Sequence, residues 1–360
     1  MTAENPGGRG LPRRRLLTLA ALALPAACST AAPPEPRATV APATAPASPA
    51  APHTTPSATA SPSAAPGVTP KPSATRTPVR GGPVPFRAGR AMFGSYLALR
   101  GMSLREALAL RRRQLGRDQR IVHVFYPWDG YVPASEPAVP ASSTLMVSWH
   151  GAPYRTILDG SADRAIARVA RRLAGMNRPI LLRWGWEMNG DWFAWDGSHN
   201  GDDPAGYVEA WRRLRRIFRK QGADQVAWVW SPNWNSSPDS PWNSFQRYYP
   251  GDDHVDWVGV SGYDFFAESP RTLFRAVCAA YGERKPIILS ETAAVDHGAG
   301  SKAAWIRKLA GWVEDTPAVG AVVWFDTDVQ DDSPHNFRPD TDARALAAYR
   351  AMARGSRFAG

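Results

Sequence analysis

The stretch from Pro179 to Trp195 reads PILLRWGWEMNGDWFAW. Its first half is a short apolar run without regular alternation, the pattern of a strand covered on both faces. Its second half sets Glu187 and Asn189 among Trp184, Trp186, Trp192 and Trp195. A carboxylate inside that much aromatic surface needs a reason, because burial disfavours its charged form. An apolar strand that ends in polar groups fits a barrel whose working face is formed by the C-terminal ends of its strands.

Working outward, the same strand-then-helix rhythm recurs. The other strand-like runs are 91–97, 121–128, 144–151, 225–233, 255–264, 286–293 and 318–327. Helical patterns lie between them. Over 203–221, Asp203 caps, Pro204 fits the first turn, and Tyr207, Trp211, Leu214 and Phe218 form one stripe. Over 161–177, Ser161 caps and Ile166, Val169, Leu173 and Met176 face inward. A last helix falls near 341–354. Eight strands, each followed by a helix, predict an α/β protein with a single (β/α)8 TIM barrel over residues 86–360.

The N-terminal part has a different composition. Arg13–Leu17 (RRRLL) opens the apolar run LLTLAALALPAAC, which ends at Cys28. A basic start, a short apolar stretch and small residues make residues 1–28 an export signal of twin-arginine type. LPAAC also resembles a lipoprotein cleavage box, with Pro25 where leucine is usual. The chain is therefore expected outside the cell, either held to the membrane through a lipidated Cys28 or freely secreted. Residues 29–85 hold 15 of the 34 prolines, amid Ala, Ser and Thr. Such a segment buries too little apolar surface to offset its ordering entropy, so a disordered stalk is expected.

Charge says little about partners. Residues 1–85 carry 8 Lys/Arg and 2 Asp/Glu, so only +5 of the formal +11 belongs to the rest. No nucleic-acid partner is expected. The basic run Arg212, Arg213, Arg215, Arg216, Arg219 and Lys220 reads as a solvated helix face. The second cysteine, Cys278, sits in an amphipathic pattern and reads as a buried, inert thiol. Asp202, Asp203, Asp252 and Asp253 read as acidic surface turns, and no metal or cofactor is expected. A monomer is expected.

The predicted strand ends gather polar and aromatic groups: His150, Glu187 with Asn189, Asn233, Tyr263 with Asp264, Glu291, and Trp324 with Asp326. Two glutamates end strands that face each other across the mouth. A carboxyl pair supplies what glycosidic cleavage requires, a proton for the leaving oxygen and a negative group facing the anomeric carbon. Strand alternation carries Arg183 and Gly185 inward with Glu187, placing Arg183 beneath the pair, where it favours ionised Glu291. The neighbouring tryptophans raise the pKa of Glu187 by desolvation, which makes it the acid and Glu291 the nucleophile. Ring faces of Trp192, Trp195 and Trp324 suit the C–H faces of pyranoses.

These segments resemble glycoside hydrolase family 26, retaining (β/α)8 enzymes best known as endo-β-1,4-mannanases. PILLRWGWEMNGDWFAW looks like the family's acid/base segment, YYPGDDHVDWVGVSGYD is similar to its sixth strand, and KPIILSETA to its nucleophile strand. The resemblance covers residues 91–327. It implies Glu187 as acid/base, Glu291 as nucleophile, Arg183 and Asn189 in support, and Tyr263 hydrogen-bonded to the nucleophile. It implies Trp324 as the platform under the sugar at the cleavage point and Trp192 near the same subsite. Trp195, His150, Trp186 and Asp264 complete the expected substrate contacts. One departure stands out: Trp186 occupies the place of the mannanases' histidine. The implied activity is retaining, endo-acting hydrolysis of β-1,4-mannan or a related β-glycan, with β-1,3-1,4-glucan and β-1,3-xylan as alternatives. A non-catalytic carbohydrate-binding barrel at the cell surface is the reading from another class.

Overall fold

The structure, a computed structural model, describes residues 79–328 and 335–358. The export signal, Cys28 and the stalk up to residue 78 lie outside the described residues. Eight parallel strands close into a barrel in sequence order: β1 (Met92–Ala98), β2 (Ile121–Tyr126), β3 (Thr144–Trp149), β4 (Ile180–Trp184), β5 (Val226–Trp230), β6 (Trp257–Asp264), β7 (Ile287–Ala294) and β8 (Val319–Thr327). Around them run α1 (Leu104–Leu115), α2 (Tyr154–Leu158), α3 (Asp163–Gly175), α4 (Pro204–Lys220), α5 (Pro270–Tyr281), α6 (Ser301–Glu314) and α7 (Ala343–Arg354).

Strand alternation divides the core in two. Ile121, Met146, Leu181, Val229, Trp257, Ile288, Ala321 and Val323 fill the barrel interior. Their sequence neighbours, among them Val122, Val147, Leu182, Val258, Leu289 and Val322, pack outward against the helices. This is why the strands read as unbroken apolar runs. The α4 stripe of Tyr207, Trp211, Leu214 and Phe218 is buried as expected, and the Asp203 side chain accepts from the Ala205 N–H. Its basic face is partly tied down: Arg213 pairs with Asp163 and Arg215 with Asp256.

Three expectations are corrected. Between β5 and β6 stand only short 3-10 turns, at Pro241–Asn243, Phe245–Tyr248 and Asp252–His254, and residues 127–143, between β2 and β3, form no helix. Pro127, Pro133, Pro137 and Pro140 deny that segment the N–H groups and backbone angles of a helix interior. Trp128 instead stacks on Trp149 at 4.6 Å. Ser161 does not cap α3: the helix opens one residue later, from Ala162, and the Ser161 hydroxyl donates to the Thr156 carbonyl. Residues 79–85, assigned to the stalk by composition, lie against the barrel floor. Val84 is buried, and the Trp257 indole N–H is shared between the Gly81 and Val84 carbonyls.

β7 carries the irregularity that matters most. Leu289 pairs with Val260 but Glu291 pairs with Ser261, so Ser290 is an extra residue. A β-bulge of this kind turns two consecutive side chains to one face. Ser290 faces the interior, 2.7 Å from the Ser231 hydroxyl, and Glu291 also points inward.

Candidate active site

Above the apolar interior lies a polar layer. The His123 Nε2 is 2.7 Å from the Ser148 hydroxyl, which accepts from Arg183 Nη1 at 3.2 Å, and Arg183 Nη2 donates to the Ser261 hydroxyl at 2.5 Å. Burial first, then the Arg183 charge, holds the His123 pKa well below its ordinary value, so the ring is neutral. Arg183 is fully buried, and two carboxyl groups lie above it. Nη1 is paired with Glu291, and Nη2 lies 3.7 Å from Glu187.

β4 stops at Trp184, so strand alternation does not carry on through Gly185 to Glu187. The backbone takes left-handed conformations at Gly185 (φ 51°) and at Glu187 (φ 56°). Left-handed backbone is unfavourable for a residue with a side chain and is found where a site holds it in place. The Glu187 N–H is anchored to the Ser231 carbonyl, and the carboxyl is turned into the mouth. Its Oε2 accepts from the Trp192 indole N–H at 3.1 Å.

Burial, the largest cause, and the charge of Glu291 push the Glu187 pKa up to about 7, against the opposing pull of Arg183, Ser261 and Trp192. The Tyr263 hydroxyl donates to Glu291 Oε2 at 2.5 Å. Burial and the two glutamates keep that phenol protonated far above its usual range. The result is one acid that keeps its proton to neutrality and, beside it, a carboxylate held by a guanidinium and a phenol.

Both carboxyls open into a cleft of about 370 Å³ walled by aromatic rings. His150, Trp186 and Tyr263 are among the residues that line it. Trp186 packs edge-on against Phe125, His150 and Phe193, with the Arg183 guanidinium 5.0 Å from its ring centre. Burial pulls the His150 pKa down, so this ring is neutral near pH 7. Trp192 stands at the rim, 45% exposed.

Four expected residues are elsewhere. Trp324 is fully buried outside the barrel wall, its indole N–H on the Phe337 carbonyl and its ring against Trp305 and Tyr349. In β8 the inward set is Ala321, Val323 and Phe325, so Phe325 lines the cleft where Trp324 was expected. Trp195 lies behind the wall, stacked on Phe193 at 4.3 Å and donating to the Trp186 carbonyl. Asn189 is buried away from the carboxyls, joining the loops after β4 and β5 through the Asn233 and Asn235 backbone. Asp264 is buried 3.4 Å from His297. Tyr96, Phe125, Phe193, Phe265, Phe325 and Phe337 line the cleft unforeseen. Tyr96, Phe125 and Phe325 lie within strands and look like core until inward parity is counted from the barrel interior, whereas Phe193, Phe265 and Phe337 lie on loops, where no local pattern marks them. Asp196, also unforeseen, accepts from the Trp192 and Phe193 N–H groups and so sets the rim.

A larger recess of about 690 Å³ lies at the opposite end of the barrel. Its Asp252 is already paired with Arg284, and the Lys285 ammonium is spent on the Asp252 and Val255 carbonyls.

A closed parallel barrel with two carboxyls sharing one guanidinium under an aromatic cleft has the build of the barrel-type glycoside hydrolases. Comparison with known proteins narrows this. A profile of glycosyl hydrolase family 26 matches residues 136–318, and the chain belongs to that family. Endoglucanase H of Acetivibrio thermocellus is 32% identical over 260 residues, which cover 67% of this chain and 28% of that protein. A beta-1,3-xylanase of a Vibrio species is 30% identical over 158 residues, covering 42% of this chain and 32% of that one. The chain thus spans under a third of the length of either relative. Among solved structures, a GH26 beta-mannanase from Bacteroides ovatus shares the fold at a TM-score of 0.54 and 18% identity, covering 75% of this chain and 90% of that one.

Proposed function

We propose that this protein is a retaining, endo-acting hydrolase of β-1,4-mannan or a related β-glycan. The reading is carried by one observation: a single buried guanidinium serves two carboxyls, one of which keeps its proton to about pH 7. In the first step the Glu291 carboxylate attacks the anomeric carbon. The bond to the leaving sugar breaks, and its oxygen takes the Glu187 proton. In the second step the Glu187 carboxylate removes a proton from water. The water oxygen bonds to the anomeric carbon, the ester to Glu291 breaks, and two inversions restore the β configuration. Tyr263 and Arg183 both donate to Glu291 and aim it. The open cleft suits internal positions of a chain more than its ends.

Trp186 favours a second reading within the same chemistry. Its ring forms part of the cleft wall, almost wholly covered by Phe125, His150, Phe193 and Trp195, and it carries a single N–H where a histidine has two ring nitrogens. A glucan or xylan fits such a wall as well as mannan does, in keeping with the names of the two relatives above. The test is hydrolysis of mannan, glucomannan, mixed-linkage glucan and β-1,3-xylan, with Glu187→Ala and Glu291→Ala as controls and NMR of the first-formed anomer. Activity surviving in both variants would sink the site assignment. No activity on any polymer, with binding intact, would favour a non-catalytic carbohydrate-binding barrel. The leader further supports export and, through Cys28, attachment to a membrane. Wild type in the membrane fraction and Cys28→Ala in the medium is the expected outcome; equal partition of the two would remove the anchor.

A further inference from the structure

Four large apolar side chains stand exposed among the described residues: Met102, Tyr131, Trp192 and Phe266. All four sit on loops that follow β1, β2, β4 and β6, on the face that carries the cleft. Phe266 is the extreme case, at 86% exposed. Its turn is nevertheless firmly built. One oxygen of Glu268 accepts from the Phe265 N–H at 3.0 Å and from the Phe266 N–H at 2.7 Å. The Glu268 carbonyl in turn accepts from the Trp305 indole N–H at 2.7 Å. Ala267 is held in a left-handed conformation, φ 70°, which a side-chain-bearing residue adopts only when its surroundings impose it.

A braced turn that holds a phenylalanine in water makes sense if the ring has a partner. The cleft points to which one. From Glu291 outward the rings run Tyr263, Phe265, Phe266, with centres 5.5 Å and then 6.4 Å apart. Each step is about the width of one pyranose, and Phe265 already lines the cleft. We infer that Phe266 is the platform of an outer subsite, stacking on a sugar ring beyond those held in the cleft, and that the glycan leaves the carboxyl pair over the β6 loop. The inference rests on the cleft being a glycan site. Because the Glu268 clamp fixes the turn before binding, little ordering entropy remains to be lost when a sugar docks.

The test uses the full chain with Phe266→Ala and Phe266→Trp, and an oligosaccharide series from whichever polymer the wild type cleaves. The ratio of kcat/KM for long over short oligosaccharides should fall about tenfold in Phe266→Ala, the scale of one lost ring contact, and recover in Phe266→Trp. A ratio unchanged in Phe266→Ala would overturn the subsite. Affinity electrophoresis in gels cast with each polymer separates this outcome from failure of the hydrolase reading. Retardation of Glu187→Ala that weakens when Phe266→Ala is added supports the contact even if no polymer is cleaved. Retardation indifferent to Phe266 overturns it.

Discussion

Glu187 keeps its proton because burial strips away the water that would stabilise its charge, while Glu291 adds repulsion. The pKa is raised, so the acid form persists up to about pH 7 and is lost above it. The expected pH profile of kcat/KM therefore has an alkaline limb near 7. On an activated aryl glycoside, which needs no proton for its leaving group, that limb should vanish in Glu187→Ala. A limb that survives the substitution would assign it to another group. The same shift bears on stability. Between pH 4.5 and about 7 the folded state holds a proton that the unfolded chain releases, so this group's contribution is fully present below 4.5 and declines as pH rises through 7. Glu187→Gln should match wild type in thermal unfolding at pH 4 and exceed it at pH 8, by roughly 3 kcal/mol at most. Tyr263→Phe removes one of the donors to Glu291, and kcat should fall about 10- to 100-fold with the fold intact.

At the scale of elements, residues 335–342, between β8 and α7, owe their position to buried charge. Arg111 of α1 is fully buried and donates to both oxygens of Asp326 and of Asp340. Phe337, in the same segment, packs 5.4 Å from Tyr263, and the buried Lys302 ammonium donates to the flanking Asn336 and Arg338 carbonyls. Arg111→Met leaves Asp326 charged and unpaired in the core, and denaturant unfolding should show a loss of roughly 3–5 kcal/mol. Glu187, Glu291, Arg183 and Tyr263 were legible in the sequence because each ends or lies within a recognisable strand run, where a charged or hydroxyl-bearing residue stands out against the apolar letters. The Arg111 network was not, because its members lie 215 and 229 positions apart and nothing local marks them as partners. Trp324 was misplaced for a different reason. A tryptophan near a strand end looks the same facing in or out, and one step of parity decides between a sugar platform and a wall.

At the scale of the molecule, the barrel is closed from below by the segment that precedes β1. Composition assigned residues 79–85 to the stalk, since Pro and Gly dominate them, yet Val84 and two carbonyls bind Trp257 to that segment. A chain beginning at Arg87 exposes the floor and strands a buried indole N–H. Relative to one beginning at Val79 it should lose roughly 2–4 kcal/mol, from one apolar side chain and two shared hydrogen bonds. Equal melting temperatures would show that the floor closes without it. The eight strands were readable over nearly their full lengths because burial on both faces keeps them mostly apolar, with the polar residues gathered toward one end. The missing helix between β2 and β3 was readable too, in four prolines that the expected rhythm overrode.

The extra residue in β7 matters for how related chains are compared. Ser290 acts like a one-letter insertion in a reading frame: everything after it is read on the other face. A homologue could keep Ser-Glu-Thr letter for letter, lack the slip, and bury its glutamate in the wall. Motif matching would score that chain as intact. An alignment that tracks strand pairing would instead show a one-residue offset against β6, and it is the offset, together with the letters, that marks a barrel able to aim this carboxylate at a sugar.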